Sequence, residues 1–310
     1  MSNLNKTRLK RRMDEDLAEL AERIARAVPS DGAVEVQPGV HFRRMSESGV
    51  RMHGVYGPAF CVMAQGGKII TLGEESVRYD PANYLITTME LPLSGEVFDA
   101  TPARPYLGFR LILDPAMVTS LMVETGLVRA VTKDAAKAID VSPIEPGLLD
   151  ATLRLTRMSE DPDEYRVLAP LVIRELVYRL MKGAQGDRLC HLARFGGQDH
   201  RMVRAVAFIR ENFDQPLKVE EVASELSMSV SGFHAHFKAV TALSPLQFQK
   251  QLRLQEARRL MLNEKLDAAE AGHRVGYEDS SYFSRDYKRN FGEPPMRHVE
   301  QLRAKASSVT

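Results

Sequence analysis

Apolar positions recur at steps of three and four along residues 9–28, where Met13, Leu17, Leu20, Ile24 and Ala27 share one side of a helical wheel. Pro29-Ser30-Asp31-Gly32 breaks the pattern. The expected element is an amphipathic helix, too short for a coiled coil, that docks on the domain behind it. From about 34 to 113 the period shortens to that of strands. "FCVMAQGGKIITLGEESVRYD" sets two apolar runs around Gly66-Gly67, a hairpin signal, and further turns are expected at Gly73-Glu74, Asp80-Pro81, Leu91-Pro92 and Pro102 to Pro105. Short strands with such frequent turns predict an all-β barrel or sandwich.

Beyond Asp114-Pro115 the pattern returns to helix, over 116–124 and 148–158 and then from a cap at Asp163 through "LAPLVIRELVYRLMKG" to Gly183. "GAQGDRLCHLARFGGQDH" has the composition of a linker with a short helix inside it. After Asp199 only helices and turns are expected, over 199–213, 218–226, 229–240, 245–262, 266–275 and 279–290, with an ending near 295–303. Strands first and helices afterwards make an α+β chain of two domains. The expected divisions are an N-terminal helix in 1–30, a β domain with trailing helices in 31–185, a linker in 186–198 and an all-α domain in 199–305.

The last of these contains a repeat. "MSVSGFHAHFKAVTALSP" and "EDSSYFSRDYKRNFGEPP" align at an offset of 50, which matches Ser231 with Ser281, Phe233 with Phe283, Phe237 with Tyr287 and Lys238 with Lys288. The helices before them match at an offset of 49, Leu226 with Val275 and Met228 with Tyr277, so Glu278 is one residue taken up in the turn. On a wheel, Phe233, Phe237 and Val240 must face a core, and so must Phe283, Tyr287 and Asn290. Ser229 and Asp279 stand where an N-cap belongs. Each unit is therefore a short helix, a tight turn and a capped helix with one polar face, which is a helix-turn-helix. Small hydroxyls and forked donors on that face suit base edges in a major groove, arginine above all against guanine. A lysine one turn along suits a phosphate.

At this point the sequence resembles the AraC family of transcriptional regulators. The resemblance rests on "VEEVASELSMSVSGFHAHFKAVTALSPLQF", the connecting "QKQLRLQEARRLML" and "RVGYEDSSYFSRDYKRNFGEPP". It implies two helix-turn-helix units bridged by a long helix, reading successive major grooves of double-stranded DNA. Ser229, Ser231, His234 and Ala235 would then be presented by the first recognition helix, with Lys238 on phosphate. Ser280, Ser281, Ser284 and Arg285 would be presented by the second, with Lys288 on phosphate. Two departures stand out: Gly272 and small alanines in "AAEAGHRVGY" where the family shows a bulkier aliphatic, and a first recognition helix with Gly232 and no arginine. The stretch from "GPAFCVMAQGG" to "RPYLGFRLILDP", together with "LAPLVIRELVYRLMKG", is similar to the N-terminal domain of one subgroup. That implies a cupin-like β barrel or sandwich with flanking helices, used for effector sensing, dimerisation or both.

Composition adds bounds. With 44% apolar and 27% charged residues among 310, the chain is an ordinary globular protein. Its net charge of +1 means that any footprint for DNA is a local face. Cys61 and Cys190 lack metal-ligand spacing, and the plainer role for both is that of small buried hydrophobes in a reducing cytoplasm, a sensor thiol being the sharper alternative. The N-terminus lacks the apolar run of a signal peptide, and no stretch is apolar enough to span a membrane.

Enzymatic chemistry finds no support in the motifs. The β region has His41 and His53 but no HxH pair. In "HAH" at 234–236 the two rings point apart on a helix. GxSxG, HExxH, P-loop and GxGxxG are absent. No catalytic residue, cofactor or metal is expected. Tyr56, Cys61, Tyr84, Glu90, Tyr106 and Arg110 could line a ligand pocket, each with a structural role as the plainer reading. The reading is a cytoplasmic, sequence-specific activator or repressor that binds double-stranded DNA as a homodimer. A small-molecule effector and RNA polymerase are its other expected partners. The alternatives are an N-terminal domain that only dimerises, and a barrel enzyme fused to a DNA-binding module.

Overall fold

The computed structural model describes residues 3–127, 137–192 and 198–307, and in the main it divides into two compact units. One carries most of the strands and the helices as far as Asp199; the other comprises His53–Val55, Leu91–Leu93 and the helices from His200 onward.

Helix α1 (Asn3–Ala27) opens the first unit and is longer than its apolar stripe predicts, because a charged segment extends it toward the N-terminus. Leu20 and Ile24 are fully buried, with Met13 and Leu17 packed against the same core. The stripe continues to Val28 while Ala27 is exposed. The described residues then form the strands β1 (Gly32–Gln37), β2 (Val40–Met45), β3 (Arg51–Tyr56), β4 (Ala59–Gln65), β5 (Gly67–Leu72), β6 (Glu75–Tyr79), β7 (Asn83–Thr87), β8 (Leu91–Phe98), β9 (Tyr106–Ile112) and β10 (Ile139–Pro143). They form two sheets, ordered β1-β2-β9-β4-β7-β10 and β3-β8-β5-β6. Among the described residues the sheets do not close into a barrel; the sandwich is the form adopted.

Two turn expectations are corrected. Gly66-Gly67 is not a hairpin, since β4 and β5 belong to different sheets and the chain crosses between them there. Gly66 takes φ +79°, and a Cβ on it would lie 3.1 Å from the Tyr106 Cα, so the corner needs glycine on both counts. Both flanking runs are apolar because each is buried, a pattern that cannot tell a hairpin from a change of sheet. Leu91-Pro92 is likewise no turn but the start of β8, a position where a strand tolerates proline. The hairpins with short turns are β1–β2, around Gly39 at φ +79°, and β5–β6, around Gly73 at φ +62°.

Helices α2 (Pro115–Thr125), α3 (Pro146–Met158), α4 (Pro162–Lys182) and α5 (Gly186–Leu192) complete this unit. The cap of α4 is Asp161, whose carboxylate accepts from the amides of Asp163 and Glu164, and not Asp163 as expected. Pro162 can occupy N1 because no intrahelical hydrogen bond is asked of its nitrogen there. Phe42, Phe60, Val62, Phe109 and Leu111 share one core with Leu149, Leu155, Leu176 and Leu180 of α3 and α4. The wide sheet thus has one face under helices, and alternate residues look the other way.

The second unit consists of α6 (Gln198–Glu211), α7 (Val219–Glu225), α8 (Val230–Thr241), α9 (Pro245–Asn263), α10 (Ala268–Arg274), α11 (Ser280–Phe291) and α12 (Pro295–Ser307). Its repeat extends beyond the aligned motifs. Ala242 and Gly292 end α8 and α11 in the left-handed region, and Pro245 and Pro295 begin α9 and α12. Each repeat is therefore three helices.

Candidate nucleic-acid interface

The turns of the two repeats are built alike. In the first, Ser227 N–H donates to the Ser224 carbonyl and Met228 N–H to that of Ala223, both at 2.9 Å. In the second, Gly276 donates to His273 and Tyr277 to Gly272, both at 3.0 Å. These are paired Schellman closures around a left-handed residue, Ser227 at φ 54° and Gly276 at φ 88°. They fix the angle at which α8 leaves α7 and α11 leaves α10. Ser229 Oγ then accepts from Gly232 N–H, and the Asp279 carboxylate accepts from Ser281 and Tyr282 N–H. Those amides hold the Asp279 carboxyl below its ordinary range.

Aromatic rings anchor each second helix. Phe233 and Phe237 are fully buried with centroids 5.5 Å apart, and Phe237 meets Phe248 of α9 edge-on at 5.4 Å. Phe283 and Tyr287 repeat this at 5.6 Å. Asn290, at the position of Val240, instead accepts a hydrogen bond from Gln251 of α9 at 2.8 Å. Phe248, Leu252, Ala257 and Leu260 are all buried along α9, with Leu254 and Met261 buried beside them. The connecting helix is covered on more than one side.

None of the residues expected to read DNA is fully buried. Ser229, Ser231, Ala235 and Lys238 of the first unit are exposed and His234 is half-buried; Ser280, Ser281, Arg285 and Lys288 of the second are exposed and Ser284 is half-buried. Ser229 is already engaged as a cap, which limits what it can offer a base. The charges divide informatively. Lys250 and Arg289 both pair with Asp286, at 2.9 and 3.2 Å. Among the described residues no ion pair is found for Lys238, Arg285 or Lys288, three of the cations on the outer faces. Cations at these positions are what a local basic footprint on a near-neutral chain would use.

Two residues of that face were missed. Tyr282 is 62% exposed, and the Arg285 guanidinium sits 4.9 Å from its ring centroid. Arg289 lies on the same side, one turn beyond Arg285. The wheel that selected Arg285 would have shown both. A third missed residue acts as a brace. Arg253 of α9 donates to the carbonyls of Phe213, Gly276 and Gln215 at 2.6, 2.7 and 2.9 Å, joining the second turn to the loop after α6. Its three acceptors are backbone atoms far away in sequence, which no motif reveals.

Among the described residues no group of three or more His, Cys, Asp and Glu could hold a metal ion. None of the described helices is long and apolar enough to cross a membrane.

Comparison with known proteins agrees with this geometry. The model of the AraC-type transcriptional regulator N-terminus matches residues 37–188, and that of a helix-turn-helix domain matches residues 222–301. The virulence regulon transcriptional activator VirF of Yersinia enterocolitica is 30% identical over 174 residues, 55% of this chain and 64% of that protein. The HTH-type transcriptional activator RhaS of Klebsiella pneumoniae is 26% identical over 151 residues, 48% of this chain and 52% of its own. The matches thus cover between half and two thirds of these relatives. The crystal structure of unsaturated fatty acid bound ToxT from Vibrio cholerae shares the fold, with TM-score 0.55 and 9% identity over 84% of this chain and 94% of that one. With one family model on each unit and two matched helix-turn-helix repeats in the second, the chain belongs to the AraC-type transcriptional regulators.

Proposed function

We propose that the protein is a sequence-specific DNA-binding regulator of transcription, acting in the cytoplasm, whose α8 and α11 enter major grooves of double-stranded DNA. The observation that carries this is the pair of polar outer faces, each with unpaired cations, on helices fixed by the same turn and cap. Arg285 reads a base, most naturally guanine O6 and N7. Ser231, His234 and Ala235 meet base edges or thymine methyl groups from α8, and Ser280, Ser281 and Ser284 do so from α11. Lys238 and Lys288 meet phosphates. Ser229 contributes chiefly by capping α8.

The N-terminal unit serves as sensor and dimerisation module. A small-molecule effector is the expected signal, and a bound activator would act by engaging RNA polymerase. A homodimer is supported by α4, where Val167 and Leu171 are each 64% exposed and Tyr178 is 40% exposed at seam-like spacing.

Footprinting the full chain on the region upstream of its own gene tests the DNA reading. Protection of discrete segments that survives competition by random DNA is expected. Equal affinity for random DNA would overturn it.

A further inference from the structure

The second face of the six-stranded sheet looks at the four-stranded sheet, and the gap between them carries unbalanced charge. Val40 and Phe42, Phe60 and Val62, and Leu107 and Phe109 pack under the helices. Alternation therefore turns Arg43, Cys61 and Arg110 toward the other sheet. Contacts across the gap agree. Arg43 Nη1 donates to the Met52 sulfur at 2.8 Å, a weak acceptor for a guanidinium, and the Arg110 guanidinium lies 5.9 Å from the Tyr56 ring centroid. From β5, Lys68 reaches the same ring, with Nζ 5.7 Å from its centroid. A Cβ on Gly95 would fall 2.5 Å from Lys68 Cε, so that glycine opens the path of the lysine.

Lys68 is only 6% exposed, and among the described residues no hydrogen bond or ion pair holds its ammonium. Arg110 Nε is buried without a hydrogen-bond partner. Buried cations are ordinarily matched by carboxylates. Here the charged and titratable neighbours of Lys68 are Tyr56, Arg43, Cys61 and Arg110, with no acid among them. Burial pushes the lysine below its ordinary range and pushes the Tyr79 and Tyr106 phenols above theirs. The phenols are therefore hydrogen-bond donors at any physiological pH. Three cations, donor phenols and apolar walls from Met63, Ile70 and Leu85 describe a place built for a single anionic head on an apolar body.

We propose that the gap between the two sheets binds an organic carboxylate, its head drawn to Lys68 and Arg110 beside Tyr56 and its apolar body laid between the sheets. This rests on the reading of the N-terminal unit as a sensor and names the chemical class of its effector. A lone phosphate would satisfy the charges but leave the apolar walls without a partner.

The test is thermal unfolding and calorimetric titration of the full chain with octanoate, decanoate and benzoate, each beside its matching alcohol, and with inorganic phosphate. At least one acid should bind with a dissociation constant at or below about 100 µM and raise the melting temperature, while its alcohol does neither; such a constant corresponds to about 5.5 kcal/mol. Lys68→Met and Arg110→Met should each weaken that acid tenfold or more, and Lys68→Arg should retain most of the affinity. Should Lys68→Met fail to fold, Arg43→Met and Arg110→Met take its place in the comparison. Binding of acid and alcohol alike, binding unchanged in the variants, response to phosphate alone, or no acid binding would each overturn the proposal. DNA affinity measured with and without the acid separates the two readings. Acid binding that leaves DNA affinity unchanged sinks the sensor and keeps the site.

Discussion

Gly272 of α10 lies against the ring of Phe283 of α11, so closely that a Cβ on the glycine would stand 2.9 Å from the phenyl Cγ. The corresponding residue of the first unit is Ala223, itself 1% exposed. The glycine therefore sets how near the two helices approach.

Gly272→Ala follows as the first prediction. Helix propensity alone favours alanine by roughly 0.8–1 kcal/mol. The clash falls on the backbone end of a fully buried phenylalanine, where overpacking costs about 1–3 kcal/mol. Net destabilisation of the second unit is expected in denaturant unfolding, together with weaker specific DNA binding. A more stable variant with unchanged binding would show that the helices separate freely.

Arg285→Ala should cost about 1–3 kcal/mol on the specific site and relax preference at one base pair. Tyr282→Ala should copy part of that loss, because the ring 4.9 Å from the guanidinium helps to aim it. Competition assays against single-base variants of the site read both. Equal losses on specific and random DNA would reduce Arg285 to a phosphate contact.

Lys238→Ala and Lys288→Ala should each weaken binding to all sequences alike. Each should flatten the slope of log K against log salt by roughly one. An unchanged slope in both variants would remove the phosphate assignment.

The connecting helix sets the spacing of the two helix-turn-helix units. Its 19 residues span about 28 Å at 1.5 Å per residue. It has no interior glycine or proline, and buried side chains of both repeats hold it. Two protected patches about 10–10.5 base pairs apart are expected in the footprint of one protomer. Inserting five base pairs between them should abolish simultaneous protection, and ten should not restore it fully. Tolerance of the half-turn insertion would mean that a single unit binds, α11 being the richer in donors.

Lys68 gives a dependence on pH. Its folded value lies below the ordinary 10.5, with burial the largest cause, so in the interval between the two the unfolded chain holds more protons. Stability should rise with pH through that interval, and the penalty is full below it. Lys68→Met should therefore be more stable than the parent at pH 6, with a higher melting temperature, and the advantage should shrink toward pH 10. An advantage that grows with pH would contradict the burial of an unpaired ammonium.

What the sequence determined by itself was whatever depends on neighbours a few residues apart. Met13, Leu17, Leu20 and Ile24 marked α1, Phe233 with Phe237 and Phe283 with Tyr287 marked the inner faces of α8 and α11, and the 50-residue offset made the duplication visible. Helical period, caps and turn residues are local, and so the polar faces opposite the aromatics could be named before any fold was known. What the tertiary structure decided was every pairing between distant strands. The same apolar run suits a hairpin and a corner between sheets, and only the packed sheets put Gly66 at a corner. β10 was missed because five residues ending in proline carry no signal until β7 pairs with them. Of the pocket residues suggested by type, Tyr56, Cys61, Tyr106 and Arg110 are on the inner face, while Tyr84 packs under the helices on the other side of the sheet. A lysine at position 68 reads in sequence as an ordinary surface charge. Its burial without a counter-ion, like the triple brace of Arg253, is a fact of residues far apart in the chain brought together by the fold.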